Sequence, residues 1–244
     1  MIFISKQDIE NIKQGIVQGA IKKAYELMLS NEFNMPDRSH VADGDNVLLL
    51  MPCFSKRFFS TKLVTVFPKA QQFNKPSVNG VLVLNDNQTG EPLAIMNGAA
   101  LTAQRTGAVG GLAVNKLTDD SIESGGILGA GVQGYQQARY LLFNRKIKQL
   151  NICDLNPVAA QNMGDLLSRE YDDVTYTVCN KAEQLVEQSE VIIAATTSSD
   201  PLFDMESEQV RGKTFISIGS FRPDMQEFPD SIIRTADKVY VDTM

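Results

Sequence analysis

The sequence has 244 residues, of which 43% are hydrophobic and 21% are charged, as in an ordinary globular protein. At roughly 100–200 residues per domain, this length predicts one large domain or two modest ones, each with its own core. The formal net charge of -6 argues against a surface for nucleic acid or an anionic membrane, so neither is an expected partner.

The N-terminus and the cysteines indicate a cytoplasmic protein. The N-terminal segment MIFISKQDIENIKQG soon turns polar and lacks the apolar core of a signal peptide. The longest apolar runs, VLLLM and VIIAA, are far shorter than the roughly 20 residues that span a bilayer. Cys53, Cys153 and Cys179 show no CxxC pairing, and because two of them lie in strand-like segments they are expected to be buried free thiols in a reducing cytoplasm. The single histidine, His40, is interpreted as a surface loop residue, and no metal site is expected.

The first half of the chain combines a helix with a strand-rich region. Residues 7–29 place apolar side chains at helical spacing and predict one amphipathic helix. Strand-like runs then follow, namely NVLLLMP, FFSTKLVTVFP, VNGVLVLND and PLAIMNG. The turn-forming residues NDNQTGEP between the last two runs favour an antiparallel meander. The segment LTAQRTGAVGGLAVNKL predicts a helix of small residues that packs closely against another element.

From Glu123 onward, short apolar runs alternate with amphipathic segments. The runs GGILGA, QLNICD, VTYTV, VIIAAT, TFISIG and KVYVD predict strands, and segments such as QGYQQARYLLFNR predict helices between them. This alternation is typical of a parallel sheet with covering helices. We therefore predict an α/β protein with an α+β domain at residues 1–117 and a doubly wound Rossmann domain at residues 118–244.

The segment GAGVQG fits the GxGxxG pattern of a dinucleotide-binding turn, where the first predicted strand ends and a helix begins. Gly129 allows the tight turn, Gly131 lets the backbone approach a pyrophosphate, and Gly134 permits close packing of helix on strand. The start of the helix supplies unpaired N–H groups to the phosphates. The alternative interpretation is a structural glycine-rich turn, since short glycine patterns recur by chance.

Polar residues at the ends of later strands extend this predicted site. Asp154 ends the second predicted strand, where a carboxylate would accept the hydroxyls of a ribose. Because it would also repel a 2′-phosphate, NAD(H) is favoured over NADP(H), although Asn156 nearby leaves NADP(H) possible. Thr196 and Thr197 end the fourth strand and either line the cofactor cleft or form a capped loop. Gly219 ends the fifth strand, at the expected position of the nicotinamide.

The N-terminal half contributes three isolated cations, Arg38, Lys62 and Arg105. Lys62 lies in the middle of an otherwise apolar strand, where burial of a lysine is costly without a partner or a task. Strand alternation alone leaves open whether Lys62 faces solvent. Arg105 lies among small residues, where its guanidinium could bind a carboxylate through two hydrogen bonds.

The whole set of motifs resembles the ornithine cyclodeaminase/mu-crystallin family of nicotinamide-dependent proteins. The resemblance is carried by MPDRS, LLMPCF, TKLVTVFP, TGEPLAIMNGAALTAQRTGAV, GILGAGVQG and VYVD. It implies that Arg38, Lys62 and Arg105 hold the α-carboxylate of the substrate. It also implies a homodimer assembled through the N-terminal, substrate-binding domain. The cofactor phosphates would bind at Thr106 and at the glycine-rich loop, which comprises Gly129, Gly131, Val132, Gln133 and Gly134.

One difference from the cyclodeaminases bears on the reaction. Ornithine cyclodeaminases and the related archaeal alanine dehydrogenases carry an aspartate two positions after the glycine that ends the fifth strand, and here that position is Phe221. A phenyl ring can neither accept nor donate a proton, so expulsion of ammonia is disfavoured. The segment GSFRPDMQE instead resembles the ketimine-reductase branch of the family. Arg222 and Asp224, on either side of Pro223, are interpreted as turn residues.

The resemblance therefore implies NAD(P)H-dependent reduction of a cyclic imino acid, pyrroline-2-carboxylate or piperideine-2-carboxylate, to proline or pipecolate. The reaction needs orientation, neutralisation of a carboxylate and a proton, which Lys62 or a water would supply. Alternatives that stay open are ornithine cyclodeamination, alanine- or opine-type dehydrogenation, and a non-catalytic binding protein similar to mu-crystallin. Family members normally continue past the VYVD segment, so a shortened chain that lacks a C-terminal return to the substrate domain is expected.

Overall fold

The structure, a computed structural model, describes residues 1–220 and 224–241. The chain divides into two compact units, Met1–Arg105 and Thr106–Met244. The division falls inside helix α3 (Gly98–Leu117), which ends where the sequence places the domain boundary. That boundary stays a prediction. Among the described residues, none of the helices has the length and hydrophobicity of a membrane span.

The first unit is built around a mixed sheet. Its strands are β1 (Ile2–Ile4), β2 (Phe33–Asn34), β3 (Ser39–Asp43), β4 (Asn46–Ser55), β5 (Phe58–Val66), β6 (Val78–Asp86) and β7 (Pro92–Asn97). Helices α1 (Lys6–Glu10) and α2 (Gln14–Leu29) follow β1, and a short 3₁₀ helix, Pro68–Phe73, follows β5. The strands form one sheet of order β1-β7-β6-β5-β4-β2, and β3 also pairs with β4.

The predicted meander is confirmed. Strands β4, β5, β6 and β7 pair antiparallel in chain order. The turn between β6 and β7 is fixed by Asp86, whose Oδ1 accepts the N–H groups of Gln88 and Thr89, both at 2.9 Å. Gly90 completes this turn at φ 76°, a left-handed conformation that favours glycine.

Two details of the first unit differ from the prediction. The single helix over residues 7–29 is wrong, because α1 and α2 are separated by an interruption around Asn11 and Lys13. Ser5 and Asp8 cap the start of α1 reciprocally, and Lys13 takes an extended conformation before α2. Asn11 ends α1 as its C-cap, where its backbone N–H donates to the carbonyls of Gln7 and Ile9. His40 is exposed as predicted, but it lies in strand β3 and not in a loop.

The second unit is a parallel sheet with helices between its strands. The strands are β8 (Ser124–Leu128), β9 (Gln149–Cys153), β10 (Thr175–Val178), β11 (Val191–Ala194) and β12 (Thr214–Ser217). The helices are α4 (Val132–Asn144), α5 (Pro157–Leu167), α6 (Ala182–Glu187), α7 (Ser207–Val210) and α8 (Asp230–Thr235). The strand order is β10-β9-β8-β11-β12, so the order reverses between β8 and β11. This is the doubly wound arrangement that the alternating pattern predicts.

The prediction of a sixth strand at KVYVD is wrong for the residues that the structure describes. Residues 238–241 form no strand, and Asp242 lies outside the described residues. Val239, Tyr240 and Val241 are each more than 60% exposed, at 61%, 62% and 68%. A strand is stabilised by its ladder and by burial, and this segment has neither within the part of the chain that the structure describes.

The core of the second unit lies on both faces of the sheet. Ile193 and Ile127 belong to a cluster on one face, and Ile192 and Leu128 belong to a second cluster. This alternation of neighbouring residues follows the two-residue period of a strand. Burial of each such side chain stabilises the fold by about 1.5–3 kcal/mol.

The small-residue helix packs closely, as predicted, through the part that belongs to the second unit. A Cβ added at Gly107 would lie 2.7 Å from the ring of Tyr140 in α4, and a Cβ at Gly110 would overlap the side chain of Gln137. Gln137 is fully buried, and its Nε2 donates to the carbonyl of Thr106 at 3.0 Å. Helices α3 and α4 are therefore joined by close packing and by a buried hydrogen bond.

Candidate functional site

The carboxyl edge of the parallel sheet brings together most of the residues predicted to bind a dinucleotide. Strands β8, β9, β11 and β12 all end at this edge. In open α/β sheets, ligands bind outside the carboxyl ends of the strands where the strand order reverses. The reversal between β8 and β11 places the candidate crevice beside the GAGVQG turn.

The three glycines of this turn have different physical roles. Gly129 adopts φ 96°, and a Cβ there would lie 2.7 Å from the carbonyl oxygen of Ala195. A Cβ at Gly134 would overlap the carbonyl of Gly129. Gly131 has φ -82°, and a Cβ there would meet nothing within 4 Å. The fold itself therefore requires Gly129 and Gly134, whereas it leaves the space beside Gly131 open.

The turn leads directly into α4, and the first turn of this helix carries no acidic residue. Gly131 is the N-cap and provides no side-chain hydrogen bond, while Val132 at the first helical position is 70% exposed. The first N–H groups of a helix lack partners within it and lie at the positive end of its dipole. The side-chain oxygens of Gln133 and Thr106 are buried and make no hydrogen bond among the described residues. Buried polar atoms are normally paired, so these oxygens can accept a ligand donor, and the Thr106 hydroxyl can also donate.

Asp154 follows β9 and is bound to the glycine-rich turn. Its Oδ2 accepts the N–H of Ala130 at 2.6 Å, and its Oδ1 accepts the N–H of Asn156 at 2.8 Å. A carboxylate can accept about four hydrogen bonds, so capacity remains for a ribose. Asn156 caps α5 by accepting the N–H of Val158 at 3.1 Å, and its side chain thus has a structural role.

A buried carboxylate that the sequence analysis missed, Glu227, joins the ends of β11 and β12. Its Oε1 accepts the N–H and the hydroxyl of Thr196 at 2.6 and 2.9 Å. Its Oε2 accepts the hydroxyl of Ser217 at 2.7 Å and the N–H of Gly219 at 2.8 Å. Thr197, by contrast, is exposed. The only signal in the sequence is a carboxylate directly before Phe228 and Pro229 in DMQEFP, which is too weak to identify such a role.

Part of the segment that decided the predicted reaction lies outside the described residues. Phe221, Arg222 and Pro223 belong to that part, and Asp224 is exposed. The interpretations of Phe221 as the replacement for an acid, and of Arg222 and Asp224 as turn residues, stay predictions.

In the first unit, the structure gathers the three cations that the sequence singles out. Lys62 lies in β5 between Met51 of β4 and Leu82 of β6. Arg38 precedes β3, whose Ser39 pairs with the residue before Met51. Antiparallel pairing therefore places Arg38 beside the row that contains Lys62. Arg105 lies in the first half of α3.

The charges of Arg105 and Arg38 act on Lys62. Burial of its half-buried side chain is the main cause that lowers the pKa of the ammonium below the ordinary value, and the charges of Arg105 and Arg38 lower it further. Within the described residues, no carboxylate forms an ion pair with Lys62. An ammonium on which two guanidinium charges act attracts an anion, so this position can bind a carboxylate.

The strand order and glycine-rich turn of the second unit define a Rossmann-type dinucleotide-binding fold, here in one chain with an α+β unit. A sequence model of the ornithine cyclodeaminase/mu-crystallin family matches residues 5–244, and the chain belongs to this family. It is 31% identical over 204 residues to the Delta(1)-pyrroline-2-carboxylate reductase of Bacillus cereus. That match covers 83% of this chain and 62% of the relative, so the chain spans less than two thirds of the relative's length.

Solved structures show the same fold. The Delta(1)-pyrroline-2-carboxylate reductase of Thermococcus litoralis, in complex with NADH and L-proline, matches with a TM-score of 0.86 and 28% identity, over 96% of this chain and 73% of that chain. An archaeal alanine dehydrogenase dimer with bound NAD matches with a TM-score of 0.87 and 26% identity, over 97% and 72% of the two chains.

Proposed function

We propose that this protein is an NAD(H)-dependent reductase that converts a cyclic imino acid, pyrroline-2-carboxylate or piperideine-2-carboxylate, into proline or pipecolate. The observation that carries the proposal is the position of Lys62 within β5, next to the row that Arg38 adjoins, with the charges of Arg38 and Arg105 acting on it. A relative that shares 31% identity is named as a reductase of pyrroline-2-carboxylate, which supports this substrate class.

The cation cluster suits the α-carboxylate of such a substrate. The two guanidinium groups can bind a carboxylate through paired hydrogen bonds, and the lysine adds a compact positive charge. The strand neighbours of Lys62 are Met51 and Leu82, which are apolar and uncharged. A small imino-acid ring with one carboxylate matches this combination of charge and apolar surface.

The residues of the second unit fit a dinucleotide. The open space beside Gly131 allows a pyrophosphate to approach the backbone, and the buried oxygens of Thr106 and Gln133 still lack partners within the described residues. Asp154 would hold the ribose of the adenosine half. NAD(H) is therefore the proposed cofactor, with NADP(H) disfavoured by the charge of Asp154.

The cations of the first unit and the dinucleotide-binding residues of the second unit have different proposed roles in the reaction. When bound, NADH supplies the hydride that reduces the carbon of the C=N bond. The first unit's cations neutralise the carboxylate and fix the orientation of the ring. Lys62 also holds a proton at Nζ and is the proposed proton donor to the nitrogen.

Oxidation of NADH in the presence of each imino acid tests the proposal directly. We expect consumption of NADH to match the formation of proline or pipecolate. Formation of proline from ornithine without net change in NADH would instead show a cyclodeaminase, and NAD reduction by alanine would show an amino-acid dehydrogenase. Binding of NADH without turnover of any of these compounds would show a binding protein.

The lowered pKa of Lys62 predicts a pH dependence. Furan-2-carboxylate is a suitable probe, because it stays an anion and has no second titrating group in alkaline solution. Lys62 attracts it only while protonated, so the inhibition constant should rise as the pH increases through a value below 10.5, the ordinary value for lysine. The Lys62→Arg variant should lose this rise, because a guanidinium stays protonated. Identical pH profiles for the two proteins would contradict the assignment.

Removal of the charge at Asp154 is expected to change the choice of cofactor. The Asp154→Asn variant keeps one oxygen that can accept the N–H of Ala130 or of Asn156, and it no longer repels a 2′-phosphate. The ratio of kcat/KM for NADPH to that for NADH should rise by about 10- to 100-fold, as expected when one charged contact is lost. Asp165→Asn, on the exposed face of α5, is the matched control. An unchanged ratio would show that Asp154 does not face the ribose.

We also infer a homodimer that forms through the first unit. Every residue of β5 remains half-buried, and the register places Val41 of β3 and Phe54 of β4, which are 54% and 39% exposed, together on the face of the sheet opposite Lys62. A second copy could cover these apolar side chains, and the matched archaeal alanine dehydrogenase is a dimer.

The free state of Cys53, Cys153 and Cys179 supports a reducing compartment, and we propose the cytoplasm.

A further inference from the structure

Glu227 is a fully buried carboxylate whose role is not explained by packing alone. Its side chain is 0% exposed. Within the described residues it forms no ion pair, and its charge is met only by four hydrogen-bond donors from Thr196, Ser217 and Gly219. Burial of a carboxylate is costly unless such donors surround it, so the site is built around the charge.

The donors come from two different strands. Thr196 lies two residues beyond the end of β11, while Ser217 and Gly219 lie at and just beyond the end of β12. Each carboxylate oxygen serves one strand, Oε1 for Thr196 and Oε2 for the other two residues. Glu227 therefore fixes the carboxyl ends of two neighbouring strands relative to one another.

The packing around this carboxylate leaves little freedom. A Cβ added at Gly219 would overlap both the carbonyl oxygen of Thr196 and Oε1 of Glu227. The N–H of Leu202 also donates to the main-chain carbonyl of Glu227 at 2.9 Å. Glu227 thus binds three chain segments: the turn after β11 that contains Thr196, the turn after β12 that contains Gly219, and the segment around Leu202.

The position of Glu227 relative to the strand reversal indicates which half of a dinucleotide it affects. Asp154 follows β9, on one side of the reversal, where the acidic residue of this fold binds the adenosine ribose. Strands β11 and β12 form the other side. A dinucleotide extends across the reversal, so its nicotinamide half lies at the ends of β11 and β12.

We propose that Glu227 is a positioning residue that holds the Thr196 and Gly219 turns in the arrangement that orients the nicotinamide for hydride transfer. This role rests on the proposed function, because it presumes that the crevice binds NADH. Glu227 acts through the two turns and needs no contact with the substrate.

The Glu227→Gln variant tests the proposal, because it keeps the shape of the side chain but replaces one accepting oxygen with a donating NH₂ group. One N–H group, of Thr196 or of Gly219, then faces another donor. We expect the Kd for NADH to rise by about tenfold or more, whereas the Kd for ADP-ribose, which lacks the nicotinamide, stays within about twofold. In the reductase assay, kcat should fall with little change in the KM for the imino acid.

Glu190→Gln, at an exposed carboxylate, is the control for the chemical exchange itself. Oε2 of Glu190 accepts the N–H groups of Glu123 and Ser124 at 2.9 and 3.0 Å, and the hydroxyl of Ser124 at 2.9 Å, at the amino end of β8. It thus also joins chain segments through one carboxylate, but at the opposite edge of the sheet. We expect this variant to leave both Kd values and kcat unchanged.

The outcomes separate this inference from the proposed function. Equal losses of NADH and ADP-ribose binding in Glu227→Gln, or equal behaviour of the two Glu→Gln variants, would overturn the positioning role. If the native protein binds NADH but reduces no imino acid, the proposed reductase is wrong, and the comparison of NADH with ADP-ribose still decides the role of Glu227. If the native protein binds no NADH, both are wrong.

A second, milder variant keeps the proposal testable if the Glu227→Gln protein does not fold. Ser217→Ala removes one of the four donors and leaves the carboxylate in place. It should shift the Kd for NADH in the same direction by a few-fold, again without an effect on ADP-ribose. An unchanged Kd for NADH in a folded Ser217→Ala protein, together with an unfolded Glu227→Gln, would assign Glu227 to folding alone and overturn the proposal.

Discussion

The Gly131→Ala variant is expected to fold normally and to lose affinity for NADH by about 100-fold, roughly 3 kcal/mol. Alanine is compatible with the φ of -82° at this position, and its Cβ would meet nothing within 4 Å. The added methyl group would instead occupy the space through which the pyrophosphate approaches the backbone. Denaturant unfolding without cofactor and titration with NADH would measure the two effects separately.

Two further glycine variants serve as controls, one for the added methyl group and one for a defect in folding. Gly19→Ala, in α2, also adds a Cβ that meets nothing within 4 Å, and it should leave NADH binding unchanged. Gly134→Ala places a Cβ against the carbonyl of Gly129 and should destabilise the fold itself. Native affinity for NADH in Gly131→Ala would show that the pyrophosphate does not pass over this turn.

The Lys62→Met variant is expected to lower kcat/KM for the cyclic imino acid by about 100-fold, roughly 3 kcal/mol, the upper value for one charged hydrogen bond. Methionine keeps an unbranched side chain of similar shape, so the row between Met51 and Leu82 stays filled. The free energy of unfolding should stay the same or increase, because the native surroundings of Lys62 disfavour its charge, as its lowered pKa indicates.

Lys69→Met is the control for a change of net charge in the same unit. Lys69 is exposed and forms an ion pair with Asp45 at 2.9 Å, with both side chains largely in solvent. We expect kcat/KM to be unaffected by its replacement. A Lys62→Met protein that is folded and fully active would remove the carboxylate-binding assignment and, with it, the main support for the proposed substrate.

Periodicity in the sequence predicted much of the architecture but not its interruptions. The alternation of apolar runs with amphipathic segments predicted all five strands of the parallel sheet, because each run is short and rich in strand-forming residues. The break between α1 and α2 was missed, since the apolar spacing continues through Ile12 and only the local backbone conformation at Lys13 shows the interruption. The KVYVD segment has strand-forming residues, yet pairing depends on a neighbouring strand and not on composition.

The candidate sites were predicted unevenly for a similar reason. Lys62 could be singled out because a lysine within an apolar strand is unusual, but only the register of β4, β5 and β6 shows its neighbours. Glu227 could not be found from sequence, because its four donors come from three other positions that are up to 31 residues away along the chain. Tertiary hydrogen bonds of this kind leave no periodic pattern.

The contact between α3 and α4 has a consequence for protein engineering. Replacement of glycine by alanine within a helix is a common means of stabilisation, since it lowers the entropy of the unfolded chain. At Gly107 and Gly110 the same exchange would force α4 away from α3, because the space is taken by Tyr140 and Gln137. Helix α4 begins at the glycine-rich turn. Thermostabilising substitutions chosen from helix propensity alone would therefore displace α4 here and change the conformation of that turn.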